Sequence, residues 1–288
     1  MNSRDEILFE NRAEGMLYFH IWRPEKPPKA VICLVHGLGD YSGCFLPFAS
    51  FFTMAGFAVM AIDLYGSGHS AGDRGDVPDF ALFLDEVELL LDLARARFSG
   101  LPLFLYGHSM GGNIVLNEGL RHNPDISGLV ASAPWLKMVG HPVRRAAVAG
   151  VIALFSPRHR FDSGLHPEGL SHDPAFARSY LADPLIHGVV TTRLFWQASC
   201  AGRWALHHAH EIAFPTLIIH GGADPVTSAT ASKEFAERSG GRVEYQEIPG
   251  AFHTLHNEQN KEEIFRSIQR WLERVLTMQS AATGRVQL

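Results

Sequence analysis

The sequence predicts an α/β fold: a mostly parallel central sheet with helices on both faces and a helical cap inserted between two strands. Three observations carry that expectation. Short, nearly continuous apolar runs alternate with amphipathic stretches; a glycine–serine turn stands between one such run and a helical stretch; and the alternation breaks between Trp135 and about Ala209. Strands of a parallel sheet are covered on both faces, so they read as apolar runs rather than as an apolar–polar alternation.

Residues 16–22 and 30–35 read as the first strands, the second ending in His36-Gly37-Leu38-Gly39. Residues 57–62 form a buried-strand run that stops at Asp63. Residues 80–98 carry Phe80, Phe83, Leu84, Val87, Leu90, Leu91 and Ala94, close to the helical period. Residues 101–106 and 128–132 are further strands, the first leading into the turn at Ser109. Strands at 215–220 and 243–248 flank a helix over 228–239, and a helix over 261–276 follows, with the tail after Met278 expected to be disordered. The core is therefore assigned to residues 1–134 and 210–288, and the cap to 135–209, a segment rich in Pro, His and Arg without a clear strand.

The chain has 288 residues, 46% of them hydrophobic, enough for a large core in one domain or a domain plus an insertion. With 30 acidic residues against 25 basic ones, it gives no electrostatic case for nucleic acid, which favours a basic face. Cys33, Cys44 and Cys200 are scattered, the pattern of reduced thiols in a cytosolic protein. The sixteen histidines show no H-E-x-x-H or Cys/His ligand pattern, and His207-His208-Ala209-His210 reads as a solvated helix end rather than as an adventitious metal site, the weaker alternative. Met1 to Glu6 is charged and precedes no long apolar core, unlike a signal peptide. The longest apolar run, residues 146–155, falls well short of the ~20 residues of a spanning helix.

Gly107-His108-Ser109-Met110-Gly111 fits G-x-S-x-G in the one context that gives the pattern meaning, between a strand and a helix. A serine in that tight turn is lifted clear of the sheet, and the N–H of Met110 faces the start of the helix, where it can stabilise an oxyanion. The hydroxyl still needs a base, and the base needs a partner to fix its tautomer. Asp224 follows the strand ending at His220, and His253 follows the strand ending at Ile248. Both loops leave the sheet at the edge that carries Ser109. Asp224 alone reads equally well as turn chemistry, and His256 is a rival base three residues beyond His253. Leu38 N–H, in the glycine-flanked loop after the early strand, is the second candidate oxyanion donor.

These residues resemble the monoacylglycerol-lipase and lysophospholipase branch of the α/β-hydrolases. The likeness rests on residues 36–43, 63–74, 107–112, 182–186, 221–224 and 250–258, which fall in the family's order across roughly 15–275. It implies an α/β-hydrolase fold with Ser109 as nucleophile, Asp224 as orienting acid, His253 as base, and Leu38 and Met110 as oxyanion donors. Two positions depart from the family: Asp40-Tyr41 stands where Glu-His is usual, and Ser67 where histidine is common. The resemblance implies a lipid ester as substrate and no metal or organic cofactor. Val151, Ile152, Phe155 and Leu194 are expected to line an acyl tunnel in the cap, the alternative being that they only pack the cap onto the core, and the Arg-flanked apolar helix is expected to touch a membrane surface peripherally. A small-ester esterase, a proline-type aminopeptidase or a perhydrolase would use the same triad. A ligand receptor would keep the pocket without turnover.

Overall fold

The computed structural model describes residues 4–140 and 142–284. Its strands are β1 (Arg4–Arg12), β2 (Gly15–Arg23), β3 (Ala30–Val35), β4 (Phe57–Asp63), β5 (Leu103–His108), β6 (Gly128–Ser132), β7 (Arg160–Asp162), β8 (Val189–Thr191), β9 (Thr216–Gly221) and β10 (Val243–Ile248). Eight of them form one sheet in the order β1-β2-β4-β3-β5-β6-β9-β10. From β4 to β10 every pairing in that sheet is parallel, and the β1–β2 and β2–β4 pairings are antiparallel. The carboxyl ends of β3, β5, β6, β9 and β10 consequently share one edge. The helices are α1 (Leu46–Met54), α2 (Ala81–Arg97), α3 (Met110–His122), α4 (Pro142–Phe155), α5 (Pro174–Ala182), α6 (Thr192–His207), α7 (Ala229–Arg238) and α8 (Lys261–Gly284).

The two-residue period of a strand divides the core into two layers. Val31, Cys33 and Val35 of β3, with Ala58, Met60 and Ile62 of β4, join the layer that holds α2, α3 and α6. Ala30, Ile32 and Leu34, with Phe57, Val59 and Ala61, join the layer built from Phe45, Phe48 and Phe52 near α1 and Phe265 and Trp271 of α8. All these strand residues are essentially inaccessible, which is why β3 and β4 read as unbroken apolar runs.

Four features differ from the sequence expectation. Strand β1 was not expected: it is an edge strand, and its charged residues hide the pattern. Helix α1 is almost wholly apolar, so it shows no period. The segment between β6 and β9 contains an antiparallel ribbon, β7–β8, only three residues per strand. Helix α8 runs on to Gly284, past the point where disorder was expected, and residues 285–288 lie outside the described part.

The segment between β6 and β9 adds no strand to the main sheet and carries α4, α5 and α6. It is tied to the core through Asp76, a buried carboxylate that accepts from Thr191 Oγ1 at 2.8 Å and pairs with Arg193 at 2.6 Å. No helix among the described residues is long and apolar enough to cross a membrane.

Candidate active site

Ser109 occupies the turn between β5 and α3 with φ 55° and ψ −115°, a backbone conformation that a side chain rarely adopts. Close packing of the neighbouring backbones holds it there. A Cβ at Gly107 would lie 2.3 Å from the carbonyl oxygen of Gly111, and one at Gly111 would lie 2.3 Å from that of Val35, so neither position admits a side chain. Ser109 N–H donates to Ser132 O at 2.9 Å, and Ser109 O accepts from Asn113 N and Trp135 N. The strain is thus held by hydrogen bonds to both flanking segments.

The loops after β9 and β10 bring two further groups to this turn. His253 Nε2 lies 2.8 Å from Ser109 Oγ, and His253 Nδ1 lies 2.8 Å from Asp224 Oδ2. With Nδ1–H donating to the carboxylate, Nε2 is free to accept the serine proton. His256 does not reach the serine. It is buried against Phe45, ring centroids 4.1 Å apart, and meets the His108 ring edge-on at 4.8 Å. Ser109 and His253 are themselves buried, at 6% and 2% exposure.

Asp224 is held by more than His253. Its Oδ1 accepts from Val226 N and Thr227 N, at 2.7 and 3.0 Å, and its Oδ2 accepts from Thr227 Oγ1 at 2.9 Å. His220 Nε2 lies 3.0 Å from the same Oδ2, and Ser232 Oγ lies 2.8 Å from its Nδ1. Burial alone would raise the Asp224 carboxyl, but His253 and His220 outweigh it and hold the group well below the usual carboxylate range. His220 and Thr227 were missed in the sequence, although Thr227 stands at the i+3 spacing of an Asx-type turn.

Three more titratable groups surround His253. Burial pushes Asp40 up to about 7, against the opposing pull of His253. Burial also lowers His108 and takes His256 down to about 3, with neighbouring histidines adding to both shifts. These two rings stay neutral next to His253.

Leu38 lines the narrow space above Ser109, together with Trp135, Met138, Ser163, Leu165, Phe195, Val226 and Thr227. That space is about 10 Å³, about the room of one water molecule. Met110, which follows Ser109 as the first residue of α3, is buried. A much larger cavity of about 680 Å³ shares Met138, Ser163 and Phe195 with it. The larger cavity is lined further by Val148, Ala149, Ile152 and Phe161, with Arg144, His159 and Asp162 at polar positions.

Of the four residues expected to form an acyl tunnel, Ile152 alone lines this cavity. Val151 and Phe155 are 59% and 87% exposed, and Leu194 is 2% exposed within the main core. Val148 and Ile152, one turn apart, edge the cavity, whereas Val151 is turned further toward solvent than Ile152 and Phe155 is the last residue of α4. Met138, Phe161 and Phe195 supply the apolar wall that the other three were expected to provide.

The family described as Serine aminopeptidase, S33 matches residues 26–260. The chain is 27% identical over 274 residues to a monoacylglycerol lipase of Mycolicibacterium smegmatis, covering 94% of this chain and 98% of the relative. It is 30% identical over 273 residues to a putative monoglyceride lipase of Schizosaccharomyces pombe, covering 89% and 71% of the two. Among solved structures, the monoacylglycerol lipase of Paleococcus ferrophilus superposes with a TM-score of 0.82 at 30% identity, over 90% of this chain and 99% of the other. The family match runs from β3 to the loop after β10 and includes the serine turn and both loops that meet it, so the chain belongs to this family of α/β-hydrolases and is a serine hydrolase that acts on carboxylic esters.

Proposed function

We propose that the protein hydrolyses the ester of a lipid with one acyl chain, a monoacylglycerol or a lysophospholipid, through an acyl-enzyme on Ser109. The observation that carries this reading is the 2.8 Å contact of His253 Nε2 with Ser109 Oγ while its Nδ1 stays on Asp224. His253 takes the hydroxyl proton as Oγ attacks the ester carbonyl, and the Leu38 and Met110 N–H groups hold the oxyanion. The imidazolium, stabilised by Asp224, then protonates the departing alcohol. Water enters, gives its proton to the same imidazole and releases the fatty acid.

Residues 135–209 act as the cap. Its 680 Å³ cavity is within the range of small-ligand sites and is mainly apolar, which suits an alkyl chain. The chain passes between Met138 and Phe195, which stand on the boundary of both cavities, and these side chains shift to admit it. The exposed Val148, Val151, Leu154 and Phe155 of α4 rest on the lipid surface from which substrate is drawn, a peripheral contact. The names of the relatives support the monoacylglycerol reading.

Two measurements test this proposal. A fluorophosphonate probe should label Ser109 in the folded protein, and absence of labelling would favour a ligand receptor. Turnover should then be compared across monoacylglycerols, lysophosphatidylcholines, p-nitrophenyl esters of graded length and aminoacyl p-nitroanilides. Preference for acetate, or for the anilides, would overturn the acyl-chain reading.

A further inference from the structure

Helices α2 and α3 lie side by side on one face of the sheet, and the last turn of α3 meets the middle of α2, bringing two carboxylates to a single imidazole nitrogen. His122 Nδ1 is 2.8 Å from Glu118 Oε2, one turn earlier on α3, and 3.1 Å from Glu88 Oε1 on α2. One donor atom from each of the three residues lies within 4.8 Å of the other two. The Glu118 side chain is fully buried, and its Oε1, on the carboxylate that meets His122, has no hydrogen-bond partner among the described residues. Burial pushes this carboxyl up to about 7; His122 opposes the shift, and Glu88 and Asp85 add to it.

Hydrogen bonding leaves this arrangement incomplete. A protonated Nδ1 carries one hydrogen, and two carboxylate oxygens compete for it, while a third oxygen is buried without a donor. A divalent ion ends the competition for one proton, because it offers several coordination positions and two positive charges, and a carboxylate that binds it through both oxygens also loses its orphan acceptor. Contacts of 2.8 and 3.1 Å between donor atoms are close to the edges of a coordination polyhedron with bonds of about 2.0–2.2 Å. Glu and His four apart on one helix face, with a third ligand from a neighbouring helix, is a spacing that ligation requires. Glu88 and His122 are 53% and 37% exposed, which leaves an open side for ion entry and for water ligands.

We propose that Glu88, Glu118 and His122 bind a divalent transition-metal ion, and that the ion clamps α2 to α3. The clamp sits nine to thirteen residues along the helix that begins at the serine turn, ~14–20 Å from it at 1.5 Å per residue. Its role is therefore structural, and it leaves the hydrolytic chemistry alone.

The test uses untagged full-length protein, stripped with a chelator and titrated with Zn²⁺ by calorimetry and with Co²⁺ by visible absorption. The expected result is one ion per chain, a melting temperature raised by several degrees, and unchanged hydrolysis of a short soluble ester. Glu88→Gln and His122→Gln, both at partly exposed side chains, should each weaken binding about ten-fold or more. His208→Ala, in the histidine run at the end of α6, should bind like the parent. Binding that is equal in the parent and in His122→Gln would overturn the proposal, as would zinc inhibition of the esterase that persists in His122→Gln, since that places the ion at His253. Absence of stoichiometric binding in the parent would overturn it as well.

Discussion

The carboxyl edge of the sheet and the segment between β6 and β9 are built on opposite terms. At the edge, Asp224 accepts from two backbone N–H groups and a threonine hydroxyl and faces two imidazoles, and Ser109 and His253 are almost inaccessible. In the intervening segment, Leu154 and Phe155 of α4 are 79% and 87% exposed, and the cavity beneath is far larger than the space above the serine. On the proposed reading, the difference separates two tasks. Bond cleavage needs atoms fixed to a fraction of an ångström, which a satisfied hydrogen-bond network in a packed core supplies. Admission of a flexible chain needs surface that repacks at little cost, and incomplete burial supplies that.

The largest effects are expected where the network is cut. Ser109→Ala and His253→Ala should each lower turnover of a p-nitrophenyl ester by about 10⁴-fold or more, and Asp224→Asn by somewhat less, with circular dichroism unchanged. If His256→Ala inactivates and His253→Ala does not, the geometry at the edge has been misassigned.

Next in size is an effect at the boundary between the two regions. Met138 lines both the serine space and the large cavity, so Met138→Trp should block the passage between them. Excluding about three methylenes at ~0.8 kcal/mol each costs ~2.4 kcal/mol, about 50-fold in kcat/KM for a dodecanoyl ester. A butyrate ester should be affected less than about two-fold by the same change. Equal losses on both esters would mean that the large cavity does not hold the chain.

A smaller effect is expected on the outer face. Leu154→Ser with Phe155→Ser removes about 1 kcal/mol of interfacial contact per residue, about 30-fold in affinity for phospholipid vesicles. Hydrolysis of a soluble ester should be unchanged. Retained vesicle binding would make the exposed face of α4 an incidental feature of the fold.

The same division governs what could be read in the sequence. Ser109, Asp224 and His253 could be picked out as residues that meet, because each follows a strand whose apolar run is unmistakable and parallel pairing brings those strand ends to one edge. His220 and Thr227 went unnoticed because their contacts with Asp224 are made only once the loop folds back, although both are near it in sequence. In the intervening segment, composition pointed to an apolar lining but not to its orientation. An α-helix turns one face inward, and 146–155 is apolar all round, so Ile152 and Phe155 looked equivalent until the packing of α4 separated them. Strand β1 and the ribbon β7–β8 escaped for a simpler reason: an edge strand with charges and a three-residue strand lack the buried run that marks the others.

The smallest expected effect concerns stability, and it tests whether the edge is as desolvated as its geometry implies. His256 is buried against Phe45 and stays neutral in the folded protein down to about 3, whereas an unfolded chain protonates it near the ordinary value of about 6.5. Its folded pKa is lowered, so it has no effect above about 6.5, and below that value the unfolded state binds the extra proton. Stability is then lost at about 1.4 kcal/mol per pH unit until the folded pKa is passed. Asp224 acts in a lower window: its stabilisation is complete above about pH 4 and is lost only as pH falls further. Asp40, Glu86 and Glu118 are raised by burial and work in the opposite sense, gaining stability as pH falls, so the parent curve alone does not isolate the histidine. The difference between the parent and His256→Phe removes those shared contributions. Between pH 7.5 and 5.5 the variant should gain about 1.4 kcal/mol on the parent, a few degrees in melting temperature. A difference that stays constant across that range would mean that the folded protein protonates His256 as readily as the unfolded chain does, and that water reaches behind the base.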